Sequence, residues 1–182
     1  MEALIYVSKD IQFHTINLDQ FNSEKDIEIC ALRLSLASSS YTIICIYRSP
    51  SGDFNYFLNQ LETVLNKLHK VSTKLIVCGD FNVNHFKDNS RKLLLDSLFA
   101  SYSLFSTVSF PTRISNNSST LIDNIYINTY SNDFSVQPFM NGLSVYDAQI
   151  ITFTKIFILY PDKYPPTIGK LTVTQHTILH LC

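Results

Sequence analysis

Apolar positions cluster in short runs through the first third of the chain and recur at helical spacing in two later stretches. Residues 4–7 and 11–16 are brief β-prone runs. Residues 27–36 and 41–47, separated by Ser38-Ser39-Ser40, predict an antiparallel hairpin. Ser49-Pro50-Ser51-Gly52-Asp53 breaks the second strand, with Asp53 placed to cap a helix. Phe54, Phe57, Leu58, Leu61, Leu65 and Leu68 then predict an amphipathic helix to about Lys70. The run Lys74-Leu75-Ile76-Val77-Cys78 is continuous rather than alternating, which suggests a strand covered on both faces. A second helix is expected over 90–102 with Leu94, Leu95 and Leu98 inward. A short strand is expected at 105–108, a polar loop at 115–120, and strands at 121–127 and 149–153. Residues 162–182 carry Pro165-Pro166 and no clear periodicity. Strands interleaved with helices give a layered α/β domain over 1–155, followed by a tail, 156–182, without clear structure.

Composition narrows the class. Hydrophobic residues make up 46% and charged residues 16% of 182, the balance of a single globular domain rather than a disordered chain. A net charge of −1 argues against nonspecific binding of nucleic acid through the whole surface, but is compatible with a local basic stripe. No signal peptide is evident. The apolar stretch 150–160 is interrupted by Lys155 and too short to span a bilayer. The expectation is a soluble intracellular protein, nuclear or cytoplasmic, with no membrane partner. Cys30, Cys45, Cys78 and Cys182 are far apart in sequence and three lie in apolar runs. Buried free thiols in a reducing compartment are expected over a disulfide or zinc.

Candidate chemistry centres on Gly79-Asp80-Phe81-Asn82 at the end of the doubly covered strand. Asp80 and Asn82, two residues apart, point the same way. The carboxylate can bind a cation or orient water, and the amide can donate to a phosphate oxygen. An Asx turn is the plainer reading of the same residues. Tyr47 and Arg48 end an earlier strand with two good phosphate partners, or with a turn and a solvated guanidinium. Asp123 places an acid within an apolar strand, where a carboxylate needs a partner.

In order, Tyr-Arg-x-Pro at Tyr47, Gly-Asp-Phe-Asn at Gly79, Pro-Thr-Arg at Pro111 and Ile-Asp-Asn-Ile-Tyr at Ile122 resemble the endonuclease/exonuclease/phosphatase superfamily. Within it, they resemble the apurinic-like endonuclease domain of jockey-type non-LTR retrotransposons. The resemblance implies a layered β-sandwich flanked by helices, missing its first strands here, with magnesium-dependent hydrolysis of DNA phosphodiesters by in-line attack of water. It assigns Asp80 to orient or deprotonate that water and Asn82 to hold the water or the phosphate. Tyr47 contacts the scissile phosphate with Arg48 nearby, Asp123 holds a catalytic histidine, and Thr112 and Arg113 face DNA.

Two departures shape the expected function. The family's Ser-Asp-His motif aligns with Ser144-Val145-Tyr146, so Val145 stands at a metal-linked Asp and Tyr146 at the catalytic His. Valine cannot coordinate, and a phenol with a pKa near ~10 replaces imidazole poorly at neutral pH. The family's magnesium-binding Glu belongs to strands that would precede Met1, so no intact metal set is expected and Mg2+ binding is doubtful. The expectation is therefore a degenerate, N-terminally truncated retrotransposon endonuclease, catalytically impaired or inactive. The alternatives are a non-enzymatic nucleic-acid-binding module that keeps an Arg48, Arg113 and Lys87 edge, and a still-active phosphodiesterase that uses Tyr146 and Asp147.

Overall fold

A six-stranded sheet forms the spine of the fold, in the computed structural model, which describes residues 3–7, 11–35, 40–70, 72–115, 118–129, 134–139, 148–158 and 167–175. Its strands are β1 (Phe13–Ile16), β2 (Ile27–Ser35), β3 (Ser40–Arg48), β4 (Lys74–Asp80), β5 (Phe105–Ser106) and, later in the chain, β8 (Asp123–Ile127). They are ordered β1-β2-β3-β4-β8-β5. Between β5 and β8 runs a small antiparallel ribbon, β6 (Arg113–Ser115) and β7 (Ser118–Thr120). A second sheet is built from β9 (Phe134–Phe139), β10 (Ala148–Ile158) and β11 (Thr167–Gln175), in the order β11-β10-β9.

The predicted hairpin is β2–β3, antiparallel from Ile27↔Arg48 to Ser35↔Ser40. β3 and β4 run parallel, which requires a crossover. That crossover is α1 (Phe54–Leu68). Asp53 caps it as expected, its carboxylate accepting from the amides of Asn55 at 2.8 Å and Tyr56 at 3.0 Å. Along α1, Phe57, Leu61, Val64 and Leu65 are fully buried, each contributing about 1.5–3 kcal/mol by leaving water. A second helix, α2 (Ser90–Ser101), is capped by Asn89.

Both faces of β4 are covered, as its unbroken apolar run implies. Leu75 and Val77 join the core beneath α1 and α2, with Ile44, Ile46, Phe57 and Phe99. Ile76 and Cys78 point to a second core shared with Ile43, Ile125, Ile127 and, from the second sheet, Ile151 and Phe153. Helices, sheet and sheet thus form three layers, a mixed α/β sandwich as expected.

Several local expectations change. On α2 the inward positions are Leu95 and Phe99, one helical turn apart, with Leu98 packed at their margin. Leu94 is 50% exposed, because it lies outside that i, i+4 stripe. The polar stretch 115–120 contributes to the β6–β7 ribbon rather than a plain loop. Residues 4–7 form no strand, yet Ile5 and Val7 pack on the inter-sheet core. The stretch read as a structureless tail contains β11, whose register with β10 runs from Gln149↔Gln175 to Ile158↔Thr167. No helix among the described residues is long and apolar enough to cross a membrane.

Candidate active site

The register of the main sheet lines up three of the sequence-predicted residues. Tyr47 on β3 pairs with Asp80 on β4, and Asp80 pairs with Asp123 on β8. Asp80 follows Ile76 and Cys78 at alternate positions, and Asp123 precedes Ile125 and Ile127 in the same way. Side chains two apart on a strand share a face, so all three lie at one end of the face that looks toward the second sheet. Glu28, opposite Tyr47 in the β2–β3 register, extends the row. It was not singled out from the sequence.

The backbone around Asp80 is tightly constrained. Gly79 has φ +154°, and a Cβ built on it would lie 1.8 Å from the Ile46 carbonyl oxygen. No other residue fits that close approach. Asn82 has φ +49°, a left-handed conformation that Asn tolerates better than most residues. Its amide donates to Asp80 Oδ1 at 2.8 Å, so the Asx-turn reading holds. Its side-chain Nδ2 donates to the Arg48 carbonyl at 2.7 Å. Phe81 is fully buried, edge-on to Phe99 and Tyr126, and pins the turn to the helical core.

Arg48 is not a solvated phosphate partner. It is 1% exposed, and its guanidinium donates to three backbone carbonyls: Nε to Phe81 at 2.6 Å, one Nη to Ser49 at 2.8 Å, the other to Asn82 at 3.0 Å. Phe54 and Phe57 rings lie 5.6 and 5.9 Å from Cζ. The planar fork and weak hydration of Arg suit such a buried clamp. Thr112 is likewise buried, not facing solvent. Its Oγ1 accepts from the amides of Ile122 at 3.1 Å and Asp123 at 3.2 Å, fixing the entry to β8. Arg113, the next residue, is exposed. Val145 and Tyr146 lie outside the described residues.

Electrostatics single out Asp80. It is 7% exposed, and burial, then the nearby Asp123 charge, push its carboxyl up to about 7. The Asn82 amide, Arg48 and Arg113 pull the other way. Two carboxylates on adjacent strands disfavour joint ionisation, so Asp80 exchanges a proton near neutral pH. A carboxyl of that strength beside a phenol can serve as a base toward water.

One further polar cluster has no counterpart among the motifs of the sequence. His85 lies in the turn after Asn82, with Nε2 3.3 Å from the Tyr126 hydroxyl and Nδ1 3.8 Å from Asp96. It lines a cavity of about 450 Å³ with Lys92, Asp96, Ser106 and Tyr126. Burial lowers its pKa. Tyr126 belongs to the helix-facing core, so this histidine sits on the opposite side of the sheet from Asp123 and does not supply the imidazole expected there.

Comparison with known proteins agrees with this architecture. The chain superposes on the endonuclease domain of TRAS1, a telomere-specific non-LTR retrotransposon, with a TM-score of 0.64 and 16% identity, covering 78% of this chain and 67% of that domain. Weaker likenesses include an endonuclease/exonuclease/phosphatase family protein from Leptotrichia buccalis, at 14% identity and TM-score 0.48, covering 72% of this chain and 54% of that one. The human Nocturnin catalytic domain matches at 16% identity and TM-score 0.44, covering 89% and 59%. The chain thus spans little more than half of those two proteins. No curated protein sequence matches it. The fold is that of the endonuclease/exonuclease/phosphatase class. Residues 41–139 match the endonuclease-reverse transcriptase family, and the chain belongs to it.

Members of this family are generally metal-dependent. Among the described residues, no group of three or more His, Cys, Asp or Glu side chains is arranged to hold a metal ion. Asp80 and Asp123 offer two carboxylates at one end of the sheet, and Mg2+ is commonly held by one or two carboxylates, with waters and phosphate oxygens completing its shell.

Proposed function

We propose that this chain is a retrotransposon-derived, DNA-directed phosphodiesterase domain whose hydrolytic step is impaired. The observation that carries the reading is the Tyr47–Asp80–Asp123 row at one end of the sheet, in a member of an endonuclease family. The retrotransposon origin of the TRAS1 domain supports the lineage. In this reading Tyr47 donates to a phosphate oxygen, Asp80 takes the proton of an attacking water, and Asn82 shapes the turn that holds Asp80. Exposed Arg113, whose charge reaches Asp80, meets the DNA backbone. Impairment follows from Val145 and Tyr146, which replace an acid and an imidazole. Losing one member of such a catalytic unit costs on the order of 10⁴–10⁶ in rate.

A supercoiled-plasmid nicking assay with magnesium tests both parts. The unaltered chain is expected to nick at trace levels or not at all, and Val145→Asp with Tyr146→His to raise the rate at least about 100-fold. Robust nicking by the unaltered chain overturns impairment. Binding to duplex DNA is expected to weaken with salt, the slope falling by about 1 in Arg113→Ala. Absent or salt-independent binding overturns DNA as the partner.

A further inference from the structure

Three thiols stand side by side in the main sheet. Cys30 on β2 faces Cys45 on β3 in the antiparallel register, and Cys45 faces Cys78 on β4 in the parallel one. All three are free. Widely spaced in sequence, they are brought together by pairing alone: the hairpin matches 30 with 45, and the crossover through α1 sets 78 beside 45.

The outer pair differs from the third member in access and geometry. Cys30 and Cys45 are half-buried, whereas Cys78 is buried. Cys30 also lies one position past the last β1–β2 pair, Ile16↔Ala31, where β2 has no further neighbour in β1. Facing residues of an antiparallel pair have Cα atoms about 4.5–5.5 Å apart. That lies within the range of about 4.4–6.8 Å that a disulfide spans.

We propose that Cys30 and Cys45 form an oxidative modification site, a dithiol that hydroperoxides convert to a cross-strand disulfide. One thiol gives up its proton, and its sulfur attacks a peroxide oxygen. The O–O bond breaks, water leaves, and a sulfenic acid remains. The second sulfur, deprotonated in turn, attacks the first. The S–S bond forms, the S–O bond breaks and a second water departs. Two electrons pass from the sulfurs to the peroxide, so two thiols and one hydrogen peroxide give one disulfide and two waters. The row lies one rung from Tyr47 and Asp80, two residues further along β3 and β4. The bond thus ties β2 to β3 directly beneath the candidate site.

The surroundings set the conditions. The neighbouring Cys45 thiol, then burial, pushes the Cys30 thiol up. At Cys45 the contact with Cys30 pulls down, while the contact with Cys78 and burial together push further up. Both stay protonated at neutral pH, and since the thiolate is the nucleophile, oxidation speeds up as pH rises.

The test uses the full, reduced chain treated with hydrogen peroxide at pH 6.5 and pH 8.5, followed by thiol titration and peptide mapping without reductant. Two of the four thiols are expected to disappear, up to about 100-fold faster at the higher pH, the thiolate fraction rising about tenfold per pH unit. The map should show a peptide linking Cys30 to Cys45, released by dithiothreitol. Cys78→Ser should retain the link and Cys30→Ser should lose it. Retention of all four thiols, irreversible thiol loss, or a map joining any other pair overturns the proposal. The unaltered chain alone is enough to decide between these outcomes, whatever the variants do to folding, and the readout is independent of nuclease activity.

Discussion

At Asp80 a cost to stability and a capacity for chemistry have one origin. Burial and the Asp123 charge raise its carboxyl from 3.8 to about 7, so the native state holds its proton more firmly than the unfolded chain does. Between those two values the unfolded state binds fewer protons, and stability falls as pH rises. The contribution is fully present below about 4 and lost as pH passes through 7. Asp80→Asn removes the charge but keeps an oxygen to accept the Asn82 amide, the bond that closes the turn. The variant should match the unaltered chain near pH 4 and exceed it by about 1–3 kcal/mol at pH 8, measured by urea unfolding at the two pH values. Equal stabilities at pH 8 would show that Asp80 carries no such penalty. If Asp80 is also the base of the proposed reaction, the gain comes with loss of the nicking that Val145→Asp with Tyr146→His restores, the trade expected when a site holds a destabilised group.

At the level of elements, the site depends on the junction of β3 with the turn after β4, and Arg48 forms that junction. Its three donors satisfy carbonyls of Ser49, Phe81 and Asn82, while Asn82 returns a bond to the Arg48 carbonyl. Lysine brings a charge but not a planar fork, so Arg48→Lys strands at least one buried carbonyl. The expected loss is about 2–3 kcal/mol, seen as a lower urea midpoint with an unchanged m-value. An unchanged midpoint would place the guanidinium outside the clamp. The motif Tyr47-Arg48-Ser49-Pro50 was legible as belonging to the site, but the direction of Arg48 was not. An arginine beside a turn reads equally as solvated or as buried until Phe54 and Phe57 are seen closing over it. Thr112 illustrates the same limit: its hydroxyl serves two amides of β8, a tertiary contact that no local pattern encodes. The hairpin, α1 with its Asp53 cap, and β4 were readable because each rests on periodicity or a cap close in sequence.

Across the whole molecule, the carboxylate row is positioned only if the two sheets stay packed. Asp80 and Asp123 close the end of the face whose middle is the inter-sheet core, and β10 supplies that core with Ile151, fully buried, and Phe153, 3% exposed. Phe153 meets Tyr41 of β3 at 5.8 Å and Phe134 of β9 at 6.1 Å between ring centroids, so one ring joins the main sheet to two strands of the second. The apolar pattern marked 149–153 as a strand but left β11 without a signal, since alternation in Thr167–Gln175 covers only Lys170–Thr174, and its pairing with β10 is set by eight register pairs with a bulge between Phe153 and Ile156. Phe153→Ala leaves a cavity that β10 cannot close while β9 and β11 hold it on both sides. The expected cost is about 3–4 kcal/mol. Hydrogen exchange should localise it: amides of β9 and β10 lose protection first, while those of α1, in the helix-side core, keep theirs until global unfolding. If α1 and β10 instead lose protection together, the two cores unfold as one unit. The carboxylate row would then depend on the helices as much as on the second sheet.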